Sequence, residues 1–182
     1  MNGKETLRWC GSIGIFYILI PAYLIASDHL LRMVIPLPPP RLHALAIRIT
    51  FVIAGAAGLY FIIASIAAQI TRGRGHPFDM TGRESFSRPT QTLLTTGVYS
   101  LTRNPMGLGD ILLYAAITGL TNSVWSLLLQ VPAYAVVVLW NHRFNERPAL
   151  IERFGEQYRQ YESATPILIP HPFRARTKQS DQ

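Results

Sequence analysis

Gly97-Val98-Tyr99-Ser100-Leu101-Thr102-Arg103-Asn104-Pro105-Met106-Gly107-Leu108-Gly109 is the stretch on which the reading of this chain turns, because a charge, a cap and a helix start stand directly against an apolar segment. Asn104 followed by Pro105 reads as an N-cap and a first helical position: the asparagine accepts a backbone N–H, and proline's missing donor costs nothing there. The amides and dipole of the first turn favour an anion, and Arg103 adds a fixed positive charge suited to a carboxylate or phosphate. This corner is therefore a candidate binding site.

Downstream, the 35 residues from Met106 to Trp140 are almost wholly apolar and are interrupted only by Thr121-Asn122-Ser123, a turn that predicts a helical hairpin. Its first arm is short for a full crossing, which implies tilt, local thinning or cover by protein. Upstream, apolar segments run from about Trp9 to Ser27 and from about Ala44 to Ile70, each long enough at 1.5 Å per residue to cross a hydrocarbon core of ~30 Å. Arg48 near the start of the second can snorkel to the headgroups. Ala26 and Ser27 are small, but the first segment is longer than a signal-peptide core and lacks a clear cleavage pattern, so it is read as a span. Pro36, Pro38, Pro39 and Pro40 make a stiff, non-helical connection between the two.

A hydrophobic fraction of 49%, only 15% charged residues and a mean hydropathy of +0.20 place the 182-residue chain in the bilayer. The net charge of +7 is scattered over loops and a tail, without the exposed aromatic-interleaved stripe of a nucleic-acid binder, so nucleic acid is not an expected partner. Arg72, Arg74, Arg83 and Arg88 make the polar stretch from Thr71 to Thr96 the cytoplasmic loop. Counting spans gives four, with both termini on that side. Cys10, the single cysteine, is read as a small core residue. The tail after Phe173 is polar and expected to be disordered.

Past the hairpin, Glu146, Leu150, Phe154, Tyr158 and Tyr161 fall on one face of a helix at 100° per residue, with Arg143 on the same face. Glu146 either pairs with Arg143 at i,i+3 or faces a polar cavity beneath the helix. Asp110, on the first turns of the third apolar helix, either complements the helix dipole or lines the same cavity as Arg103. His142 and His76 have no metal-ligand spacing with other His, Cys or carboxylates and are read as interfacial; no metal is expected. Gly97, Gly107 and Gly109 allow close approach of a ligand or of another helix. No GxGxxG or GxxxxGK[ST] pattern occurs.

Gly97-Val98-Tyr99-Ser100 with Arg103-Asn104-Pro105, then Glu146, Leu150, Phe154-Gly155, Tyr158, Tyr161 and Pro166-Ile167-Leu168-Ile169-Pro170, resemble the isoprenylcysteine carboxyl methyltransferase and phospholipid methyltransferase superfamily, in its bacterial form. The likeness covers roughly Gly73 to Pro170 and includes His76-Pro77-Phe78-Asp79. Where the family reads Arg-His-Pro-x-Tyr-x-Gly, Asn104 stands for the histidine and Gly107 for the tyrosine, and Asn145 stands where a glutamate often precedes Glu146.

The resemblance implies an all-α integral membrane protein with about four transmembrane helices and a C-terminal amphipathic helix closing a cytoplasm-facing cofactor pocket. Residues 1–70 would be an N-terminal helix pair, 71–170 the methyltransferase-like core and 171–182 a polar tail, in a bacterial inner membrane. It implies S-adenosylmethionine as cofactor and a lipid-like or small hydrophobic methyl acceptor entering from the bilayer; the oligomeric state is open. In-line methyl transfer asks the protein for positioning and water exclusion. The expected roles are Arg103 on the cofactor's carboxylate, Asn104 and Pro105 shaping the helix start, and the backbone of Gly97, Val98 and Tyr99 on its nucleoside. Glu146 would hold its amino group or accept a proton from an amine acceptor. An NADPH-dependent membrane reductase related to sterol reductases, and a non-catalytic scaffold, are the two other readings.

Overall fold

Prolines inside apolar helices set the local geometry of this protein. The computed structural model describes residues 10–35, 44–73 and 90–170. The proline connection at 36–40, the loop at 74–89 with His76 and the Pro-Phe-Asp stretch, Lys4, Arg8 and the tail after Pro170 lie outside the described residues. Helix α1 spans Cys10–Val34 and α2 spans Leu45–Gly73, both long and apolar enough to cross a membrane. A 3-10 turn at Gly97–Ser100 leads to α3, Pro105–Leu120. After the turn at 121–123 come α4, Val131–Asn141, and α5, Arg147–Ala164. The described residues thus form an all-α protein, and α1 runs beyond the expected Ser27 to Val34.

Three π-turns, Ile15–Leu19, Ser126–Gln130 and His142–Glu146, each end two residues before a proline: Pro21, Pro132 and Pro148. A proline ring collides with the carbonyl four residues back and offers no N–H, so an i→i+5 turn widens the helix where it enters. The amides of Ile20, Val131 and Arg147 accordingly reach back to Ile15, Ser126 and His142. In α1 this withdraws Ile20 from the Phe16 carbonyl, which accepts instead the hydroxyl of fully buried Tyr114 on α3 at 2.7 Å.

Helices α2 and α3 pack antiparallel along small residues. A Cβ on Gly58 would lie 2.7 Å from the Gly109 carbonyl oxygen, one on Gly109 would lie 2.8 Å from that of Gly58, and one on Gly55 would lie 3.1 Å from Ala116 Cβ. Near the hairpin turn the Phe51 ring occupies the place of a side chain at Gly119. Such seams bring backbones together where lipid offers helices no hydrophobic incentive to associate.

Asp28 ties α1 to the far end of the hairpin. Its Oδ1 accepts the amides of Trp125 at 2.7 Å and Ser126 at 3.2 Å, while Oδ2 pairs with Arg32 Nε at 2.6 Å. Arg32 also donates to the carbonyl of Asn122, which holds the left-handed φ of +55° that closes the turn. Asp28 is therefore an N-cap supplied by a different helix. Asp28→Ala strands two amides and Arg32, and is expected to cost roughly 2–4 kcal/mol. Asp28→Asn keeps the accepting oxygen and should lose about half of that or less. Thermal unfolding in detergent reads the order; equal melting of both variants and the wild type would refute the cap.

Candidate active site

The corner at 103–105 is built much as its sequence requires. Asn104 Oδ1 accepts the amide of Gly107 at 2.9 Å, capping α3, and Pro105 occupies the first helical position. The C-terminal segment staples the corner from outside: Arg103 and Asn104 donate their amides to the carbonyls of Pro166 and Ile167 at 2.8 and 3.1 Å, and the Thr102 hydroxyl donates to Ile167 at 2.8 Å. The Gly107 amide is thus already used by the cap, so the first turn offers an anion less than the dipole reading expects. The charge of Arg103 is the larger feature.

Arg103, Asn104, Pro105, Tyr99 and Glu146 line one cavity of about 200 Å³, together with residues of all five helices. Gly97 and Val98 do not line it. Gly97 takes a φ of +67° to start the 3-10 turn, which packs Val98 and Tyr99 into a core with Ala68 and Leu94, Tyr99 also lining the cavity. The Tyr99 carbonyl is itself taken by the Tyr161 hydroxyl at 2.6 Å, and the Tyr99 hydroxyl accepts from Gln69 Nε2 at 2.7 Å. Burial pushes the Tyr99 phenol up to about 12 and the Tyr161 phenol upward as well, so both stay neutral donors at any physiological pH.

Glu146 does not pair with Arg143. The π-turn at His142–Glu146 adds a residue to the turn, which leaves Arg143 exposed and off the cavity. Glu146 Oε1 accepts from Asn141 Nδ2 at 2.9 Å and Oε2 meets His142 Nδ1 at 2.9 Å. His142 is not interfacial either: it is 2% exposed, lines the cavity, and its Nε2 lies 3.4 Å from the Tyr158 hydroxyl. Arg103 Nη1 reaches that same hydroxyl at 3.4 Å. A chain of polar contacts, Arg103, Tyr158, His142, Glu146, therefore runs along one wall of the cavity. Burial raises the Tyr158 phenol, and the Arg103 guanidinium works against that rise.

Glu162 is the residue that periodicity passed over. Its Oε1 pairs with Arg103 Nη1 at 2.5 Å and with Arg147 Nε at 2.8 Å, and Oε2 accepts Arg147 Nη2 at 3.0 Å. Hydrogen bonds from Arg147, with Arg103 assisting, hold its carboxyl below the ordinary value of 4.5 against the effect of burial, and Glu162 raises Arg147 in return. The backbone breaks helical geometry at Gly155, φ +53° and ψ −123°, yet Tyr158 and Tyr161 beyond it line the cavity with Glu146, Leu150 and Phe154, as their shared face predicts. The Asp110 alternative resolves toward the cavity, which it lines beside Tyr134. Gly107 lines it too, and the room a side chain would need there is taken by Val138 Cγ1, 2.7 Å from an added Cβ.

The profile of the phospholipid methyltransferase family matches residues 50–157, more than half of the chain, from α2 through the corner and Glu146 into α5. The chain belongs to that family. Comparison with curated proteins and with solved structures gives no match. Family membership and the two long apolar helices make this a membrane methyltransferase. The matched span carries both arms of the hairpin and most of the cavity wall, but stops short of Tyr158, Tyr161 and Glu162.

Proposed function

We propose that this membrane methyltransferase takes its methyl group from S-adenosylmethionine and places it on a lipid-like or small hydrophobic acceptor. In this reading four apolar helices lie in a bacterial inner membrane, both termini and the corner face the cytoplasm, and α5 covers the cofactor. The observation that carries it is the joint presence of Arg103 and Glu146 on one cavity, with Arg103 Nε buried and lacking a hydrogen-bond partner among the described residues. A buried guanidinium nitrogen without an acceptor is costly unless a ligand supplies one, and the cofactor's carboxylate has the right charge and geometry. Glu146, oriented by Asn141 and His142, presents a carboxylate to an ammonium group. The residues present therefore fit the cofactor at both ends of its amino-acid portion.

Bound there, S-adenosylmethionine would supply a methyl group on a sulfonium, an electrophile that needs no covalent help from the protein. The chain's own work is to orient and to exclude water. Arg103 and Glu146 fix the two charges, the neutral phenols of Tyr99 and Tyr161 keep the lining polar there without competing charge, and Val137, Val138 and Phe16 add apolar lining. An apolar wall is where a hydrophobic acceptor would lie.

Calorimetric titration of the detergent-solubilised protein tests the reading against its rival. S-adenosylmethionine is expected to bind and NADPH to give no heat beyond dilution. Preferential binding of NADPH would overturn the assignment in favour of a reductase.

A further inference from the structure

The two charged residues assigned to the cofactor stand at the ends of one row of side chains, and that row has a direction. The π-turn at His142–Glu146 brings two neighbours onto the Glu146 carboxylate: Asn141 Nδ2 donates to Oε1 and His142 Nδ1 lies on Oε2, each at 2.9 Å. Asn141 Oδ1 is itself held by Asn145 Nδ2 at 2.9 Å. On the far side of the imidazole ring, His142 Nε2 and Arg103 Nη1 both lie 3.4 Å from the Tyr158 hydroxyl. His142 is 2% exposed and Tyr158 1%. The described residues give the phenol no third partner.

Only one placement of protons satisfies this row. A proton on Nε2 alone would turn the bare lone pair of Nδ1 toward a carboxylate oxygen at 2.9 Å, acceptor against acceptor. Protons on both nitrogens would aim two cationic donors, the imidazolium and the Arg103 guanidinium, at one phenol oxygen. The phenol's own proton would then have no acceptor in a buried place, which is costly. Burial raises the Tyr158 phenol, so that proton stays on it and needs one. With the ring proton on Nδ1 alone, every donor meets an acceptor: Arg103 donates to Tyr158, Tyr158 to His142 Nε2, and His142 Nδ1 to Glu146. Hydrogen bonds in such a series polarise one another, each strengthening the next.

We propose that His142, fixed as its neutral Nδ1–H tautomer, is a positioning residue that joins the Arg103 and Glu146 ends of the site, so that the cofactor's carboxylate and ammonium groups are gripped as one unit rather than by two independent charges. This deepens the S-adenosylmethionine reading and rests on it for those two groups. In this role His142 touches neither of them. It acts through Glu146, whose carboxylate it turns, and through Tyr158, whose hydroxyl proton it accepts so that the phenol's lone pairs stay toward Arg103.

Nitrogen-15 NMR of the whole, histidine-labelled, ligand-free protein in detergent reads the tautomer directly. Among the five histidines, the signal that Tyr158→Phe shifts and His142→Asn removes belongs to His142. It is expected to show a protonated Nδ1 and a bare Nε2, and Arg103→Ala is expected to shift the bare nitrogen although Tyr158 stands between. Calorimetry then separates joining from plain support of Glu146. Asparagine sets its amide nitrogen close to the place of Nδ1, so His142→Asn keeps the donor to Glu146 and cuts the link to Tyr158. It is expected to lower S-adenosylmethionine affinity by about three- to tenfold, and His142→Phe, with neither nitrogen, by about ten- to a hundredfold. Tyr158→Phe should cost about three- to tenfold in wild type and nothing further in His142→Asn, because the two changes cut the same link. A proton on Nε2, full affinity in His142→Asn, or an undiminished Tyr158→Phe loss in that background would overturn the proposal. Should His142→Asn fail to fold, the wild-type tautomer and its response to Tyr158→Phe decide. Failure of the cofactor reading looks different: wild type then binds no S-adenosylmethionine, and the joint grip falls with it whatever the tautomer.

Discussion

Gly58→Val is expected to yield no folded protein that survives extraction and gel filtration in detergent, whereas Gly14→Ala behaves as wild type. At Gly58 the first added carbon already meets backbone, the Gly109 carbonyl oxygen at 2.7 Å and the Leu113 amide nitrogen at 2.9 Å, and neither can swing aside as a side chain would. The branched methyls of valine deepen the overlap, so α2 and α3 must separate along their whole seam. Ordinary overpacking costs about 1–3 kcal/mol, and a clash against two backbones belongs to the tail above roughly 4–5 kcal/mol that consumes most of a domain's stability. The separation would also reach the site, because Gly109 and Asp110 are neighbours and the corner lies one turn away. Gly14 has nothing within 4 Å of an added Cβ, which makes it the control for glycine replacement as such. A monodisperse Gly58→Val protein with unchanged melting would show that the two helices do not depend on this approach.

What the sequence makes legible here follows from which interactions are local. The cap at Asn104, the helix start at Pro105 and the turn at Thr121-Asn122-Ser123 depend on residues within three or four positions, and the structure has all of them. Arg103 and Glu146 share a cavity as the resemblance requires. The misses share a cause as well. A 100° wheel assumes one period through His142–Glu146, but the π-turn ahead of Pro148 widens it and takes Arg143 off the cavity, while Glu146, Leu150, Phe154, Tyr158 and Tyr161 all line it as their shared face requires. The proline was the available signal, since this π-turn and those at Ile15–Leu19 and Ser126–Gln130 each end two residues before one. Asp28 capping a helix nearly a hundred residues away, and Glu162 closing on Arg103, are contacts across the fold that no spacing along the chain encodes. Val98 and Tyr99 pack in the same core with Ala68 and Leu94, but only Tyr99 also reaches the cavity.

Arg103→Ala is expected to weaken S-adenosylmethionine binding by roughly 30- to 1000-fold, the loss from removing one partner of a desolvated charge pair at about 2–4 kcal/mol. The pairing with Glu162 gives this expectation a second arm of opposite sign. Glu162 occupies Arg103 Nη1 at 2.5 Å and so competes with an incoming carboxylate, while Arg147 holds Glu162 through two bonds of its own. Glu162→Gln keeps the shape and removes the competing charge, and should tighten cofactor binding by about three- to tenfold. Arg103→Lys keeps a charge but not the fork that can serve Glu162 and a ligand together, and belongs between alanine and wild type. The sign of the pH dependence follows from the lowered Glu162 carboxyl. Its stabilising pairing is complete above the ordinary carboxylate value of 4.5 and is lost as pH falls through the lower folded value, so this group leaves binding flat from neutrality down to the acid range. Calorimetry of the three variants checks the order Glu162→Gln above wild type above Arg103→Lys above Arg103→Ala. If Arg103→Ala binds as wild type does, the guanidinium is a structural partner of Glu162 and the cofactor's carboxylate lies elsewhere. If Glu162→Gln weakens binding instead, Glu162 orients Arg103 for the cofactor rather than competing with it.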